Sequence, residues 1–301
     1  MKFGIVGNSQ KENFPGAVSG LIKKLTAVSI EYIIDETITA DLHDTDDAFT
    51  LKKNVIPTSG DVFSESDIII ALGGDGTILR YAREAALHDK PILGVNLGKL
   101  GFLAEVSTDE LPDCIDEIMN GDYVVSNRLT IECSTEDGHD DAVFGVNDIV
   151  IDRGGLLRVI DVETYVDNDY LITFKGDGLI ISTPTGSTGY SLSCGGPIVA
   201  PDTDVIIVTP ISPHTLNARP VIIPAEKVIR TVIHSPEPTV QLAADGQLQK
   251  RLPTPVEITF RRSNKEVKLI KRKVRSFYDV LRSKLMWGRD VRVNPERKLP
   301  T

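Results

Sequence analysis

The stretch Asp67-Ile68-Ile69-Ile70-Ala71-Leu72-Gly73-Gly74-Asp75-Gly76-Thr77 sets the architecture of the first part of the chain. Its apolar beginning predicts a buried strand over 67–72, and residues 78–87 have the apolar spacing of a helix. Glycines at a strand-to-helix turn let the backbone come close to a ligand and adopt positive φ. The helix that follows directs its free N–H groups and its positive dipole end at the same place. The turn therefore predicts a phosphate site that includes Gly73, Gly74 and Thr77.

Asp75 is an acid placed beside this phosphate site. One anion next to another is unfavourable unless the carboxylate accepts a proton or helps to hold a cation. The turn thus points to phosphoryl transfer, with Asp75 as the proton acceptor. No Gly-x-x-x-x-Gly-Lys-Ser/Thr motif is present, so the sequence does not indicate a P-loop enzyme. Basic residues that could meet phosphates are Arg80, Lys99, Lys175 and Arg219.

Strands and helices alternate through the first hundred or so residues. Strands are predicted over 2–7, 30–34, 67–72 and 91–95, with a helix over 13–28, and residues 36–66 read as a polar loop with short elements. Alternation with nearly continuous apolar strands is typical of a parallel sheet covered on both faces. Because ligands bind beyond the carboxyl ends of such strands, the glycine turn lies in a suitable place.

The second part of the chain is rich in short strands separated by turn residues. This spacing predicts a β-sandwich or a related multi-sheet layer. Residues 276–287 return to helical patterning, and we expect this helix to dock on the first domain. The predicted fold is therefore a Rossmann-like parallel α/β domain over 1–105, completed by 270–301, and a β-sandwich-like domain over 106–269. The predicted strands of the second part lie over 130–133, 143–151, 158–166, 171–174, 178–181, 205–208, 221–223, 228–233, 240–243 and 256–260.

A second group of polar residues fills the run 176–190, Gly-Asp-Gly-Leu-Ile-Ile-Ser-Thr-Pro-Thr-Gly-Ser-Thr-Gly-Tyr. Its five hydroxyl residues supply donors and acceptors in a small volume, and its glycines admit the backbone close to a flat ring or a sugar. Tyr190 offers a ring face or a phenol, and Asp177 could accept from an amide or a ribose hydroxyl. The run predicts a site for a polar, planar molecule such as a nucleoside.

Asn147 and Asp148 interrupt an apolar strand predicted over 143–151. Polar side chains in such a strand are costly unless they are satisfied. An asparagine can pair with an adenine edge through its donor and its acceptor together, and Asp148 can accept from both hydroxyls of a ribose.

Composition narrows the classes of function. The formal net charge of −10 argues against broad nucleic-acid binding, which uses a basic surface. No segment has the length and apolarity of a membrane helix, and the start of the chain is too short and strand-like for a secretory signal, so we expect a cytoplasmic location. The three cysteines and five histidines are scattered and predict neither a disulfide framework nor a protein metal site.

Each motif taken alone also has a structural interpretation. The glycine turn could be a tight connection, the hydroxyl run a solvated loop, and Asn147-Asp148 a bulge. Asp177 between glycines is more often a turn residue than a ligand, and Tyr190 is most often half-buried core. The occurrence of several such signals in one chain favours the functional interpretation.

Together these residues resemble the NAD kinase family, whose members use ATP or polyphosphate to phosphorylate NAD on its adenosine 2′-hydroxyl. The motifs that carry the resemblance occur in the family's order. They are Gly73–Thr77, Asn96 with Gly101-Phe102-Leu103, Asn147-Asp148, Gly176–Tyr190, Pro213-His214-Thr215-Leu216 with Arg219-Pro220, Asp245-Gly246 and a closing Leu285-Met286-Trp287-Gly288.

The resemblance implies a site in the cleft between two domains and a role for each matching residue. Asp75 faces the 2′-hydroxyl and takes its proton. Asn147 and Thr185 hold the adenine amino group, while Thr188 and Gly189 line the adenine pocket. Asp148 binds the nicotinamide ribose, Asp177 meets the carboxamide, Tyr190 lies near the base and Gly76 belongs to the NAD site. Donor phosphates are expected at Gly73, Gly74, Thr77, Arg80 and Lys99. Thr185 and Gly189 replace a serine and an alanine common in the family and keep hydroxyl and size.

The resemblance also implies NAD and ATP or polyphosphate as ligands, and a homodimer or homotetramer. Magnesium is expected to bind mainly through the donor phosphates, because no carboxylate cage is visible. Two alternatives remain open at this stage. A lipid kinase would share the glycine turn but would need an apolar groove, and a non-catalytic regulator would bind NAD or NADP without consuming ATP.

Overall fold

The computed structural model describes residues 1–41, 61–98, 101–135, 142–155, 158–274 and 276–286. A predominantly parallel sheet forms the first domain, in the order β2-β1-β3-β4-β19-β6 with β5 alongside β4. Its strands are β1 (Lys2–Gly7), β2 (Glu31–Ile34), β3 (Ile68–Gly73), β4 (Pro91–Asn96), β5 (Val106–Ser107), β6 (Val124–Arg128) and β19 (Val267–Lys271). All six residues of β3 are buried, which explains their unbroken apolar character.

Helices cover both faces of this sheet. They are α1 (Phe14–Ala27), α2 (Glu36–Asp41), α3 (Val62–Glu65), α4 (Asp75–Leu87) and α5 (Leu111–Met119). Helix α1 buries Phe14, Val18 and Leu21 against one face. Helix α4 buries Ile78, Ala82 and their neighbours against the other. The predicted Rossmann-like α/β architecture is confirmed.

Two strands of this sheet lie beyond the limits predicted for the first domain. Strand β6 pairs antiparallel with β19, and β19 pairs parallel with β4. Neither strand was predicted from the sequence. In β6 the side chains of Val124 and Val125 are exposed, and in β19 the lysines at positions 268 and 271 interrupt the apolar pattern. The division at residues 105 and 270 remains a prediction, and the sheet pairing favours a boundary after β6 and another before β19.

The second domain consists of two antiparallel sheets packed face to face. One has the order β11-β10-β15-β18-β7-β8 and the other β14-β13-β12-β9-β16-β17. A shared core joins them, with Ile131 and Val162 from the first sheet and Ile149, Leu179 and Ile181 from the second. The β-sandwich prediction is therefore confirmed. The strands are β7 (Ile131–Thr135), β8 (Val143–Gly145), β9 (Asp148–Asp152), β10 (Ile160–Val166), β11 (Asp169–Gly176), β12 (Gly178–Ser182), β13 (Val205–Ile211), β14 (Val221–Pro224), β15 (Ile229–His234), β16 (Thr239–Ala244), β17 (Leu248–Pro253) and β18 (Val256–Arg262).

The single strand predicted over 143–151 is wrong, because the chain changes sheets within it. Strand β8 pairs with β7 in one sheet, and β9 pairs with β12 and β16 in the other. The bend between them is formed by Val146 and Asn147. We call these two residues and Asp148 the crossover. The polar pair Asn147-Asp148 lies at this bend, but the buried residues on both sides of it favoured one continuous strand.

Helix α7 (Phe277–Leu285) begins with a capping box in which Ser276 and Asp279 bond to each other's backbone N–H groups. It buries Val280 and Leu281 and places the Phe277 ring 6.3 Å from the Phe102 ring of the first domain. The predicted return of this helix to the first domain is confirmed, while Trp287 and Gly288 lie outside the described residues. None of the helices in the described ranges is long and apolar enough to cross a membrane.

Candidate functional site

The glycine turn holds Asp75 at the first position of α4, where Gly74 is the extended N-cap residue. A negative side chain in the first turn is favoured by the helix dipole. The expected positive φ is wrong for this turn, because none of its three glycines has one. Gly73 is required for a steric reason instead, since a Cβ there would lie 2.5 Å from the Cβ of Thr77. Gly74 and Gly76 have open space where a Cβ would be.

The carboxylate of Asp75 is fixed by the segment Gly101-Phe102-Leu103. The backbone N–H of Phe102 donates to Oδ2 at 2.8 Å, and that of Leu103 donates to Oδ1 at 3.2 Å. Gly101 lets the backbone come this close, because a Cβ on it would lie 1.7 Å from Oδ1 of Asp75. A carboxylate has about four acceptor positions, so two bonds leave room for a third partner. The segment therefore orients Asp75 without saturating it.

We predict that Gly101→Ala strongly reduces turnover while the protein still folds. The added methyl group would displace the carboxylate of Asp75 and break its bonds to Phe102 and Leu103. If Asp75 accepts the proton as the sequence predicts, such a misplacement lowers kcat by about 100-fold. The matched control is Gly20→Ala in α1, where a Cβ meets nothing within 4 Å. The measurement is kcat beside the thermal unfolding midpoint. Equal kcat in both variants would show that the position of Asp75 is unimportant.

The crossover is held in place from two sides. Asp245 lies at the turn between β16 and β17, and its carboxylate accepts from the backbone N–H groups of Val146, Asn147 and Asp148 at 2.7–3.2 Å. From the other side, Thr183 donates its hydroxyl to the Val146 carbonyl at 2.7 Å. A Cβ on Gly186 would lie 2.1 Å from the Asn147 carbonyl oxygen, so the hydroxyl run packs directly on the crossover.

Most hydroxyls of the run 176–190 are used within the protein. Ser187 bonds to the backbone of Val199, and Ser182 donates to Asn147 and Thr183 carbonyls. Thr188 donates to the Thr185 carbonyl in the 3-10 turn Thr185–Thr188. The hydroxyl of Thr185 is the exception, because its Oγ1 is buried and has no hydrogen-bond partner among the described residues. Of the five hydroxyl residues predicted to meet a ligand, only Thr185 therefore has a hydroxyl without a partner among the described residues.

Asn147 has a similar unsatisfied atom. Its Oδ1 is buried and forms no hydrogen bond within the part of the chain that the structure describes, and its Nδ2 lies 3.8 Å from the point where a Cβ on Gly189 would be. The carboxylate of Asp148 lies 3.9 Å from the same point, at its Oδ2. The structure thus brings Asn147, Asp148 and Gly189 together. Buried polar atoms without partners are uncommon in folded proteins and indicate a missing ligand or water.

Burial and the neighbouring charge of Asp245 raise the pKa of Asp148 to about 7. Burial also raises the pKa of Asp245, while its three backbone N–H donors and Arg83 oppose this rise. Two carboxyl groups in one buried place favour the protonated form of at least one of them.

We therefore predict that the folded chain becomes less stable between pH 5 and pH 7 through Asp148. A raised pKa means that the folded state holds this proton more tightly, so the contribution is complete below about pH 4 and is lost as pH rises through about 7. We expect Asp148→Asn to reduce this loss by about 1–2 kcal/mol, since each unit of pKa is worth about 1.4 kcal/mol. Urea unfolding of both proteins at the two pH values measures it, and parallel pH profiles would refute it.

Tyr190 directly follows Gly189, and the charge of Asp177 acts on its phenol. Asp177 forms an ion pair with Arg153 at 3.2 Å, and its backbone is bonded to Ile211. Tyr190 opens helix α6 (Tyr190–Ser193) and is 46% exposed. Burial of its phenol raises the pKa of Tyr190, and Cys194, Asp152 and Asp177 raise it further.

The predicted basic residues differ in their surroundings. Arg80 is exposed and lies over the Tyr81 ring at 5.6 Å, whereas Lys175 pairs with Asp161 and Arg219 donates to carbonyls of its own loop. Lys99 lies outside the described residues.

A cavity of about 370 Å³ lies between the two domains. Phe102 and Leu103, whose amides hold Asp75, form one wall, and Thr185 and Thr188 belong to another. The cavity also reaches Arg128 and Lys271, which were not predicted as site residues. Their strands were missed in the sequence, and no local pattern marks either residue as part of a site. We refer to this space as the interdomain cavity.

Comparisons with known proteins agree with this geometry. The family model for the ATP-NAD kinase N-terminal domain matches residues 3–123, and that for the ATP-NAD kinase C-terminal domain matches residues 146–272. The NAD kinase of Natranaerobius thermophilus is 40% identical over 292 residues, which cover 96% of this chain and 99% of the relative. This chain belongs to the NAD kinase family. It is a phosphotransferase that converts NAD to NADP, and the resemblance predicted from the motifs is confirmed.

Solved NAD kinase structures share its fold. Yeast NADH kinase complexed with NADH has a TM-score of 0.83 at 24% identity, covering 98% of this chain and 90% of that one. The NAD kinase of Archaeoglobus fulgidus in complex with ATP has a TM-score of 0.71 at 24% identity, covering 95% and 99%. At this level of identity the likeness concerns the architecture, which the NAD kinase fold of this chain reproduces throughout both domains.

Proposed function

We propose that this NAD kinase uses Asp75 as the general base that deprotonates the adenosine 2′-hydroxyl of NAD. The new bond forms between the 2′-oxygen and the terminal phosphorus of ATP. The bond from that phosphorus to the bridging oxygen breaks, ADP leaves with the electron pair, and the hydroxyl proton passes to Asp75. Support comes from the two backbone bonds that orient the carboxylate, because their donors belong to Phe102 and Leu103, which line the interdomain cavity.

The observation that carries the proposal is the pair of unsatisfied atoms in the second domain. Oδ1 of Asn147 and Oγ1 of Thr185 are both buried and unpartnered, and an exocyclic amino group of adenine would supply the donors that they lack. Thr188 and Gly189 adjoin them along the 3-10 turn. We place the adenine there, with Asp148 on the nicotinamide ribose and Asp177 and Tyr190 on the nicotinamide side.

The phosphate-bearing end is assigned to the glycine turn. Gly73, Gly74 and Thr77 lie at the N-terminus of α4, where N–H groups and the helix dipole favour an anion, and Arg80 follows in the same helix. Lys99 is also proposed to contact the donor phosphates, while Gly76 is assigned to the NAD site. Among the described residues no group of three or more histidines, cysteines and acids is arranged to hold a metal. The residues of the glycine turn fit a magnesium ion that binds mainly to the donor phosphates. When bound, magnesium would neutralise charge on the transferred group.

The proposed donor is ATP, as the family name and the ATP complex of the Archaeoglobus fulgidus relative suggest. Polyphosphate as a donor and assembly into a homodimer or homotetramer are also proposed, from the resemblance to the family. The cytoplasmic location and the lack of nucleic-acid and membrane partners remain predictions.

One assay tests the function. Purified protein receives NAD and magnesium with ATP, polyphosphate or no donor, and an NADP-specific dehydrogenase detects the product. We expect NADP only when a donor is present. A folded protein that binds NAD but forms no NADP with either donor would contradict the proposal and favour a non-catalytic regulator.

A further inference from the structure

Arg128 is a buried arginine with no partner in the described part of the chain. It is the last residue of β6, and only 7% of it is exposed. Its Nε has no hydrogen-bond partner, and its guanidinium forms no ion pair with a described residue. A buried charge without a partner is strongly unfavourable, because it has lost its hydration without replacement.

The neighbouring cations are satisfied, which sets Arg128 apart. Nζ of Lys271 lies 2.8 Å from Glu105, and Arg272 binds Glu117 through two nitrogens at 2.6 and 2.8 Å. Glu105 also accepts the backbone N–H of Arg272. Burial lowers the pKa of Arg128, and the negative charges of Asp202 and Glu105, which line the same cavity, oppose this effect.

Arg128 faces the interdomain cavity together with groups already assigned to the reaction. Phe102, which holds Asp75, and Thr185, whose hydroxyl is unsatisfied, line the same cavity. Lys271 lies close enough to both Arg128 and Asp75 for its charge to interact with each of them. Among the described residues, Arg128 thus adds a positive group without an ion pair to the cavity that is also lined by the segment holding Asp75.

We propose that Arg128 binds the phosphoryl group that is transferred. That group is the terminal phosphate of the donor before the reaction and the 2′-phosphate of NADP after it. A guanidinium matches two phosphate oxygens with two parallel N–H bonds, and a phosphate would supply the direct ion pair that no described residue gives Arg128. The inference rests on the proposed function, because it places the reacting hydroxyl in this cavity.

The test compares nucleotide binding by the whole protein and by Arg128→Gln, using calorimetry with NADP, NAD, ATP and ADP. We expect affinity for NADP to fall about 10- to 100-fold while affinity for NAD stays within about twofold, as a charged hydrogen bond is lost. The ATP and ADP arms identify the source of the phosphate. A loss for ATP but not for ADP assigns Arg128 to the donor phosphate, and a loss for NADP but not for NAD assigns it to the product.

The matched control is Arg261→Gln, since Arg261 is exposed and paired with Glu132 outside the cavity. We expect this control to leave all four affinities unchanged. The ligand-free Arg128→Gln protein should melt at or above the wild-type temperature, because an unpaired buried charge is removed. If Arg128→Gln does not fold, Arg128→Lys replaces it, and its preference for NADP over NAD should fall part-way.

Three outcomes would overturn the inference. If Arg128→Gln binds NADP and ATP as wild type does, Arg128 does not hold the phosphate, and the NAD kinase activity is unaffected by that result. If both variants fail to fold, Arg128 is a structural residue. If the wild-type protein binds none of the four nucleotides and forms no NADP, the proposed function is wrong, and so is the inference that rests on it.

Discussion

Replacing Asp75 with asparagine is expected to lower kcat by about 100- to 10,000-fold, the usual contribution of a general base. The amide cannot take the proton of the 2′-hydroxyl, although its volume is almost the same. Its oxygen can still accept one of the N–H bonds from Phe102 and Leu103, so we expect a loss of only about 1 kcal/mol in unfolding free energy. NAD binding should persist, because the proposed adenine contacts lie in the second domain.

The decisive comparison is between turnover and binding in the same preparation. Steady-state NADP formation gives kcat, calorimetry gives the Kd for NAD, and thermal unfolding reports on the fold. Asp113→Asn is a suitable control, because Asp113 lies in the first turn of another helix, α5, and is exposed. If Asp75→Asn loses binding and folding together with turnover, Asp75 has a structural role and the proposed mechanism is wrong.

Replacing Asp245 with alanine is expected to destabilise the protein by about 3 kcal/mol or more. Its carboxylate accepts from three consecutive backbone N–H groups of the crossover, and each buried donor left without a partner costs about 1–3 kcal/mol. Alanine is also strained at φ 54°, a left-handed conformation that costs a residue with a Cβ about 1 kcal/mol. NAD affinity should fall as well, because the crossover carries Asn147 and Asp148.

Asp245→Asn separates these contributions. Asparagine tolerates the left-handed conformation and keeps one acceptor oxygen, so we expect a smaller loss than for alanine. Asp169→Ala, at an exposed hairpin end, should change the unfolding free energy by less than about 0.5 kcal/mol. Urea unfolding measures all three. An Asp245→Ala protein as stable as the Asp169→Ala control would mean that the crossover does not depend on this carboxylate.

The candidate site illustrates what sequence patterns can and cannot predict. The glycine turn was placed correctly at the start of α4, because strand, glycines and helix are neighbours in the chain. The run 176–190 was identified as polar and glycine-rich, but composition could not show which hydroxyl remains unsatisfied. That depends on groups elsewhere in the chain. The carbonyls of Val146 and Val199 accept the hydroxyls of Thr183 and Ser187, whereas no described group bonds to the hydroxyl of Thr185.

The crossover and Arg128 show the limit most clearly. In residues 143–151 the polar pair Asn147-Asp148 indicated an interruption or a bulge, but the apolar residues on both sides could not show that the chain changes sheets there. Arg128 resembles any arginine at the end of an exposed strand. Its isolation becomes visible only when Glu105 and Glu117 are seen to be occupied by Lys271 and Arg272, more than a hundred residues along the chain.

The secondary structure of this chain can be predicted from short-range patterns, because helix periodicity, strand apolarity and glycine turns depend on residues within a few positions of one another. The motifs and their succession were sufficient to identify the family. The arrangement of the candidate site depends instead on the tertiary structure. Asp75 meets Phe102 across 27 positions and Asp245 meets Val146 across 99, and such contacts form only when the sheets pack and bring their ends together. Folding therefore fixed which polar groups are satisfied and which remain open to a ligand.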